Sequence, residues 1–410
     1  MKKKTIFAYV TGIAVGASLF AISSFAEASD NGTAINEEIF PDDAFRAYVE
    51  QFDKDKNGSL DSTEIAAVTS IDVNGKKIAS LKGVELFTKL NKLSCNENDI
   101  AELDVAALKE LQILSCSDNK LTSLDVTDNT ELIMLIAGNF STEGGGNKYE
   151  NLDLSNNAKL NYLEAAACGL TSLDISANVN LEKLGCFNNE ITELDVSQNV
   201  ALTSLNCSFN KLKTIDLSKN TKLTSLDCGY NQLTSLDLSN NPLITSEYPS
   251  VGNKYDLGEC SEFDLKELEQ YGFDLSKVVD DHFVGAELKD GKLVNFNDIA
   301  DENEILYAYD LGNGKTTNFT LTYTPKAEEI TSSEENTSTE ESKETDASTN
   351  SSDEPGESET AESEGTQPTA SDSGENNGDN KGENKPTGLA IAFVPSIAAA
   401  AAIVIARRRK

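Results

Sequence analysis

Histidine is almost missing from this 410-residue chain, which has only His282. Acid–base catalysis by paired imidazoles is therefore excluded, and no histidine cluster exists to hold a transition metal. The seven cysteines include no Cys-x-x-Cys spacing, so zinc ribbons and dithiol redox motifs are absent as well. Basic residues are scarce: 34 Lys and Arg stand against 69 Asp and Glu, a net charge of −35. Nucleic-acid binding needs a basic footprint, and so acidic a balance argues against it. The one run of three glycines, 144–146, is followed by Asn-Lys-Tyr rather than Lys-Ser/Thr, so it is no phosphate loop. With no base and no nucleophile pair, no enzyme is expected.

What is abundant is leucine at fixed intervals. Repeats start at Leu90, Leu111, Leu132, Leu160, Leu181, Leu202 and Leu223, spaced by 21 residues except for a 28-residue step from Leu132 to Leu160. The shared pattern is L-x-x-L-x-C-x-x-N-x-L-x-x-L-D-[VLI]-[ST], and such a period means a solenoid of stacked coils. Positions one, four, six, eleven and fourteen point inward, and only neighbouring coils can bury them. The L-x-x-L-x-C segment reads as a short strand, with positions four and six inside and three, five and seven outside. Strands of about eight coils pair in parallel at about 4.8 Å, giving a rod on the order of 40 Å long. Asn at position nine (Asn98, Asn119, Asn189, Asn210, Asn231) satisfies the turn's backbone; in the coil from Leu160 that position is Cys168. The pattern closely resembles the leucine-rich repeat family.

Two further columns look chemical. Asp104, Asp125, Asp153, Asp174, Asp195, Asp216 and Asp237 recur at position fifteen. A calcium row is conceivable there, but capping of each turn's own N–H groups is the simpler reading. Cys95, Cys116, Cys186, Cys207 and Cys228 occupy position six. Side-by-side parallel neighbours fit disulfide geometry poorly, so these read as small buried thiols.

The chain begins MKKK, continues with an apolar run to about Ile22, and has small residues at Ala26 and Ala28, so residues 1–28 read as a secretory signal peptide. Residues 29–67 form a helical cap, with Phe45, Tyr48, Val49 and Phe52 on one helix face. Within it, Asp53 to Glu64 matches D-x-[DN]-x-[DN]-G-x5-E and resembles an EF-hand loop. The resemblance implies a calcium ion held by the side chains of Asp53, Asp55, Asn57, Asp61 and Glu64 and by the Ser59 carbonyl. There is no second loop to pair with it. Outside a cell calcium is steady, so a structural staple is expected rather than a switch.

Residues 68–262 are the repeats, and their longer first coil resembles those of internalin-type bacterial surface proteins. Gly-Asn-Lys-Tyr occurs at 146–149 and again at 252–255 and is expected to bulge outward at both places. Residues 263–325 lose the period. Ile305–Tyr309 and Phe319–Tyr323 alternate around Gly312-Asn313-Gly314, a β-hairpin within a β-rich C-terminal cap. Residues 326–386 carry 18 acids, 4 lysines and hardly a large apolar residue, the composition of a disordered stalk. Residues 387–410 hold a 19-residue uncharged run and end in Arg407-Arg408-Arg409-Lys410, which fits a membrane helix with a cytoplasmic tail. Just before it, Asn384-Lys385-Pro386-Thr387-Gly388 resembles the sorting signal of sortase-anchored wall proteins, with processing near Thr387. It departs from that signal because no residue separates Pro386 from Thr387.

The whole reading is a repeat solenoid of leucine-rich repeats with a parallel β concave face, an EF-hand-like cap, a β-rich cap, a stalk and an anchor. It resembles bacterial proteins displayed on the extracellular face of the membrane or wall. The resemblance implies adhesin-like binding of a protein or glycan on a cell or host surface through the concave face. On this sequence Ile113, Met134, Ile136, Tyr162, Phe187, Phe209 and Tyr230 would be the contact residues. The alternative is a structural spacer without a specific ligand.

Overall fold

The computed structural model describes residues 32–140, 146–246, 249–297 and 303–326. The expected leader, the acidic stalk beyond Lys326 and the hydrophobic anchor lie outside the described residues. Among the described residues no helix is long and apolar enough to cross a membrane.

The N-terminal cap contains β1 (Thr33–Ala34), α1 (Asp43–Val49), β2 (Ser59–Leu60) and α2 (Ser62–Ala67). Asp42 caps α1 by accepting from the amides of Ala44 and Phe45, both at 3.0 Å. Its other oxygen accepts from the Ala79 amide at 2.8 Å, which ties the cap to the first coil. Phe40 packs edge-on against Phe45 and stacks on Phe87, so one apolar core runs from cap into repeats.

Eight three-residue strands follow, one per coil: β3 (Ser70–Asp72), β4 (Lys92–Ser94), β5 (Ile113–Ser115), β6 (Met134–Ile136), β7 (Tyr162–Glu164), β8 (Lys183–Gly185), β9 (Ser204–Asn206) and β10 (Ser225–Asp227). They form one parallel sheet in sequence order, the leucine-rich repeat architecture. The register is one coil per step; Leu184, Leu205 and Leu226, for example, lie side by side. Positions four and six are buried throughout, and position five is more enclosed than simple alternation suggests.

The asparagine ladder works by bridging coils. Asn119 donates to the carbonyls of Cys95 at 2.9 Å and Cys116 at 3.0 Å, and accepts from the Ile100 amide at 3.1 Å. Where Cys168 replaces asparagine, its thiol lies 3.3 Å from the Ala166 carbonyl and 3.5 Å from that of Ala137, a weaker donor in the same place. The position-six thiols are buried and free.

Gly-Asn-Lys-Tyr does not bulge outward, contrary to expectation. Asn147 re-enters the ladder, donating to the Cys116 and Ala137 carbonyls at 2.9 and 3.0 Å, and Asn253 does the same for the last coil. The seven extra residues therefore precede the motif. Tyr149, two residues on, is buried and donates its hydroxyl to the Ala137 carbonyl at 3.2 Å. Counting the seven extra residues, it stands at inward position eleven, where the neighbouring coils have Leu121 and Leu170.

A second asparagine ladder runs along position nineteen: Asn129, Asn157, Asn178, Asn199, Asn220 and Asn241, none more than 1% exposed. Each reaches back one coil; Asn199 donates to the carbonyls of Ile175 at 3.0 Å and Asn178 at 2.9 Å. Asn199→Ala removes two buried hydrogen bonds and leaves each carbonyl with a single donor, the Asn178 amide on Ile175 and the Leu181 amide on Asn178. Chemical denaturation should show a loss of about 1–3 kcal/mol.

The C-terminal cap comprises β11 (Lys254–Cys260), β12 (Phe263–Asp264), β13 (Val278–Val284), β14 (Glu287–Lys289), β15 (Lys292–Val294), β16 (Glu304–Gly312) and β17 (Lys315–Pro325). β16 and β17 pair as a hairpin within the sheet β11-β17-β16-β13, and β12, β15 and β14 make a smaller sheet. Tyr307 donates its hydroxyl to the Thr234 carbonyl at 2.6 Å, and the Leu238 amide donates to the Leu311 carbonyl at 2.7 Å. The hairpin thus closes the open end of the last coil.

Candidate functional site

The contact residues expected from the sequence separate into two groups. Ile113, Met134 and Tyr162 are direct register partners on β5, β6 and β7. Ile136 sits two residues along β6 and pairs with Glu164. All four apolar residues are half-buried, so they make one contiguous patch on the outward sheet face.

Phe187, Phe209 and Tyr230 do not join it. Phe187 and Phe209 are buried, at 3% and 6% exposure, which corrects their reading as exposed contacts. Phe209 and Tyr230 occupy a left-handed turn position, φ 54° and 53°, which recurs at Glu97, Asp118, Ala167 and Asn188. The solenoid pitch stacks their rings at 4.3 Å with 5° between planes. Gly252 closes the other face of Tyr230, where even a Cβ would come within 2.7 Å of the ring. The pair is a structural stack apart from the patch, in which Phe209 is buried and Tyr230 remains 36% exposed.

One residue of the patch escaped the sequence reading. Glu164 ends β7 and is only 3% exposed. Its Oε1 has no hydrogen-bond partner. Gly185, its register neighbour, leaves the room: a Cβ there would lie 2.2 Å from Oε1. Burial pushes the Glu164 carboxyl up to about 8. Burial, with the Glu164 charge second, pushes the Tyr162 phenol up to about 12. An acid at position five in the middle of the sheet, followed one coil later by Gly185, was the available signal; Asp72 and Asp227 stand at the same position in the first and last coils.

Between the unfolded value near 4.5 and the folded value of about 8, native Glu164 holds a proton that the unfolded chain has lost. Stability attributable to this group is therefore full below 4.5 and declines as pH rises toward 8. Melting curves of the wild type should fall across that window more steeply than those of Glu164→Gln.

The position-fifteen aspartates cap their own turns, as in Asp195 accepting from the Ser197 amide at 2.8 Å. Hydrogen bonds from the Ser197 amide and then its hydroxyl hold Asp195 below the usual carboxylate range.

In the cap loop, Asp53, Asp55 and Glu64 each present an oxygen within 4.8 Å of the others. Asp53 accepts from the Gly58 amide at 2.8 Å and the Asn57 amide at 3.2 Å. Desolvation works to raise its pKa, but these bonds hold it below the usual range. Gly58 takes φ 84°, the sharp turn the loop requires. Asp61 caps α2 by accepting from the Thr63 and Glu64 amides, and Glu64 returns the contact to the Asp61 amide at 3.0 Å. The place of a second loop is taken by β1, antiparallel to β2. Hard oxygen donors arranged around a glycine turn suit calcium, so the residues present fit that ion.

No family model matches the chain. Among curated proteins it is similar to internalin J of Listeria monocytogenes serotype 4b (strain F2365), with 40% identity over 68 residues. That stretch is 16% of this chain and 7% of the relative's length. Among solved structures it is similar to the functional domain of InlJ from Listeria monocytogenes, described as including a cysteine ladder. The identity is 21%, over 72% of this chain and 99% of that one, with a TM-score of 0.35. It is also similar to internalin C2 from strain 4b F2365, at 21% identity over 52% of this chain and 94% of that one, TM-score 0.46.

Proposed function

We propose that this chain is a surface-displayed binding protein that recognises a protein or glycan through the concave sheet face. The observation that carries this reading is the contiguous half-buried patch of Ile113, Met134, Ile136 and Tyr162 on β5–β7. Apolar residues aligned on adjacent strands form a contact surface that isolated exposed residues do not. The export leader and the hydrophobic, basic-ended C-terminus support display on the outer face, with sortase processing near Thr387 as the route to the wall. In the same reading the cap loop holds a structural calcium, with Asn57, Asp61 and the Ser59 carbonyl completing the set begun by Asp53, Asp55 and Glu64.

The test is a protein and glycan array probed with the full chain, with and without calcium. A saturable hit is expected, weakened about tenfold or more by Met134→Ala with Tyr162→Ala, since aromatic anchors dominate such contacts. A blank array from folded protein would overturn the binding reading and favour a spacer.

A further inference from the structure

We infer that the concave face receives a cationic side chain, the arginine or lysine of a protein partner, on the carboxylate of Glu164. This deepens the binding reading and rests on it.

Glu164 lies in the middle of an eight-stranded sheet, 3% exposed and with an unpartnered Oε1. A buried acid without a partner costs stability, a cost that the hydrogen-bonded hydroxyls of Ser94 and Ser115 avoid at the same position. The site is also shaped around it. Gly185 removes the side chain that would otherwise fill the next strand's position, and the carboxylate lies in the notch so made. Ile136 and Tyr162 flank it, one across the strand pair and one along its own strand.

Lys183 is the register partner of Tyr162 on β8, but it is exposed and forms no ion pair with Glu164. Among the described residues none supplies a cation to Glu164, and a cationic side chain presented by a partner would draw off the proton that burial otherwise keeps on this acid and pair with the carboxylate so formed. Guanidinium suits the place best, because it is weakly hydrated, forms forked bonds to a carboxylate and stacks on an aromatic face such as Tyr162. A net charge of −35 further favours approach by a basic partner. The recognised motif is then a basic residue between apolar neighbours, which cover the Ile113–Met134 side of the patch.

The experiment uses the full chain and fluorescence anisotropy. One probe is a pool of labelled heptapeptides with a central arginine and aliphatic or aromatic flanks. The second pool carries citrulline, the neutral isostere, in its place. The arginine pool should bind saturably and about tenfold or more tighter than the citrulline pool. Glu164→Gln should bring the two pools together, whereas Lys183→Ala should leave the difference intact. Should Glu164→Gln fail to fold, Gly185→Ala serves instead. It displaces only the flexible end of Glu164 from the notch and should likewise shrink the difference. Equal binding of both pools, or a difference that survives these variants, overturns the cation site. Where such equal binding is still lost on Tyr162→Ala, concave-face recognition stands without it. If neither pool binds, the cation site is overturned, and the array result alone then decides the wider reading.

Discussion

Leu205→Asp is expected to abolish cooperative melting of the solenoid at pH 7. Leu205 is 1% exposed and packs in a row with Leu184 and Leu226. Loss of the leucine contacts alone costs about 2–5 kcal/mol. The introduced carboxylate adds a buried charge with no donor near it. In a solenoid each coil is held only by its neighbours, so the damage reaches both sides of the substitution. Set against a typical total stability of about 5–15 kcal/mol, this is enough to unravel the stack. Acid should partly restore it: the introduced group has a raised folded pKa, so its penalty vanishes as pH falls below its unfolded value of about 3.9. Circular dichroism melting at pH 7 and pH 4 tests both points. An unchanged curve at pH 7 would mean that the inward register is wrong.

The second large effect belongs to the cap. Calcium should raise the melting temperature of the wild type, and Asp53→Ala with Glu64→Ala should remove that increment. An ion bound only by the folded form adds about 4 kcal/mol at a thousandfold excess over its dissociation constant. The gain should extend beyond the loop, because Leu60 is fully buried and its strand carries β1. Part of the loss in the double variant will appear without calcium, since Glu64 also closes the capping box of α2. The diagnostic quantity is therefore the calcium-dependent difference. Identical wild-type melting curves with and without calcium would end the staple reading.

The sequence showed the coil, the parallel pairing and the inward faces plainly, because leucine, cysteine and asparagine repeat with one period. It showed less wherever a residue's role depends on its neighbour's size. Tyr149 looked like part of an excursion, but it is buried at the inward position held by Leu121 and Leu170 in the neighbouring coils. The position-nineteen asparagines were visible as a column, yet nothing local separates a buried bridging amide from a polar turn residue. In the candidate site, Ile113, Met134, Ile136 and Tyr162 followed from strand alternation. Phe209 and Tyr230 did not, because the left-handed turn at position eight stacks their rings on each other, burying Phe209 while Tyr230 stays partly exposed. Glu164 was hidden for a similar reason: its burial depends on a glycine 21 residues away.

From Leu181 to Leu223 every coil serves the same thiol, amide and carboxylate columns with the same residue types. By these columns the coil from Leu202 can be duplicated in frame without a mismatched joint, lengthening the molecule in integer increments of about 4.8 Å, whereas its neighbours are tied, Gly185 to Glu164 and Tyr230 to Gly252. The stretch from Leu132 to Leu181 is different: Tyr149 and Cys168 both reach the Ala137 carbonyl, and the Tyr149 amide donates to the Cys168 carbonyl. It is a keyed segment, and length variation across such proteins would be confined to the coils on either side of it.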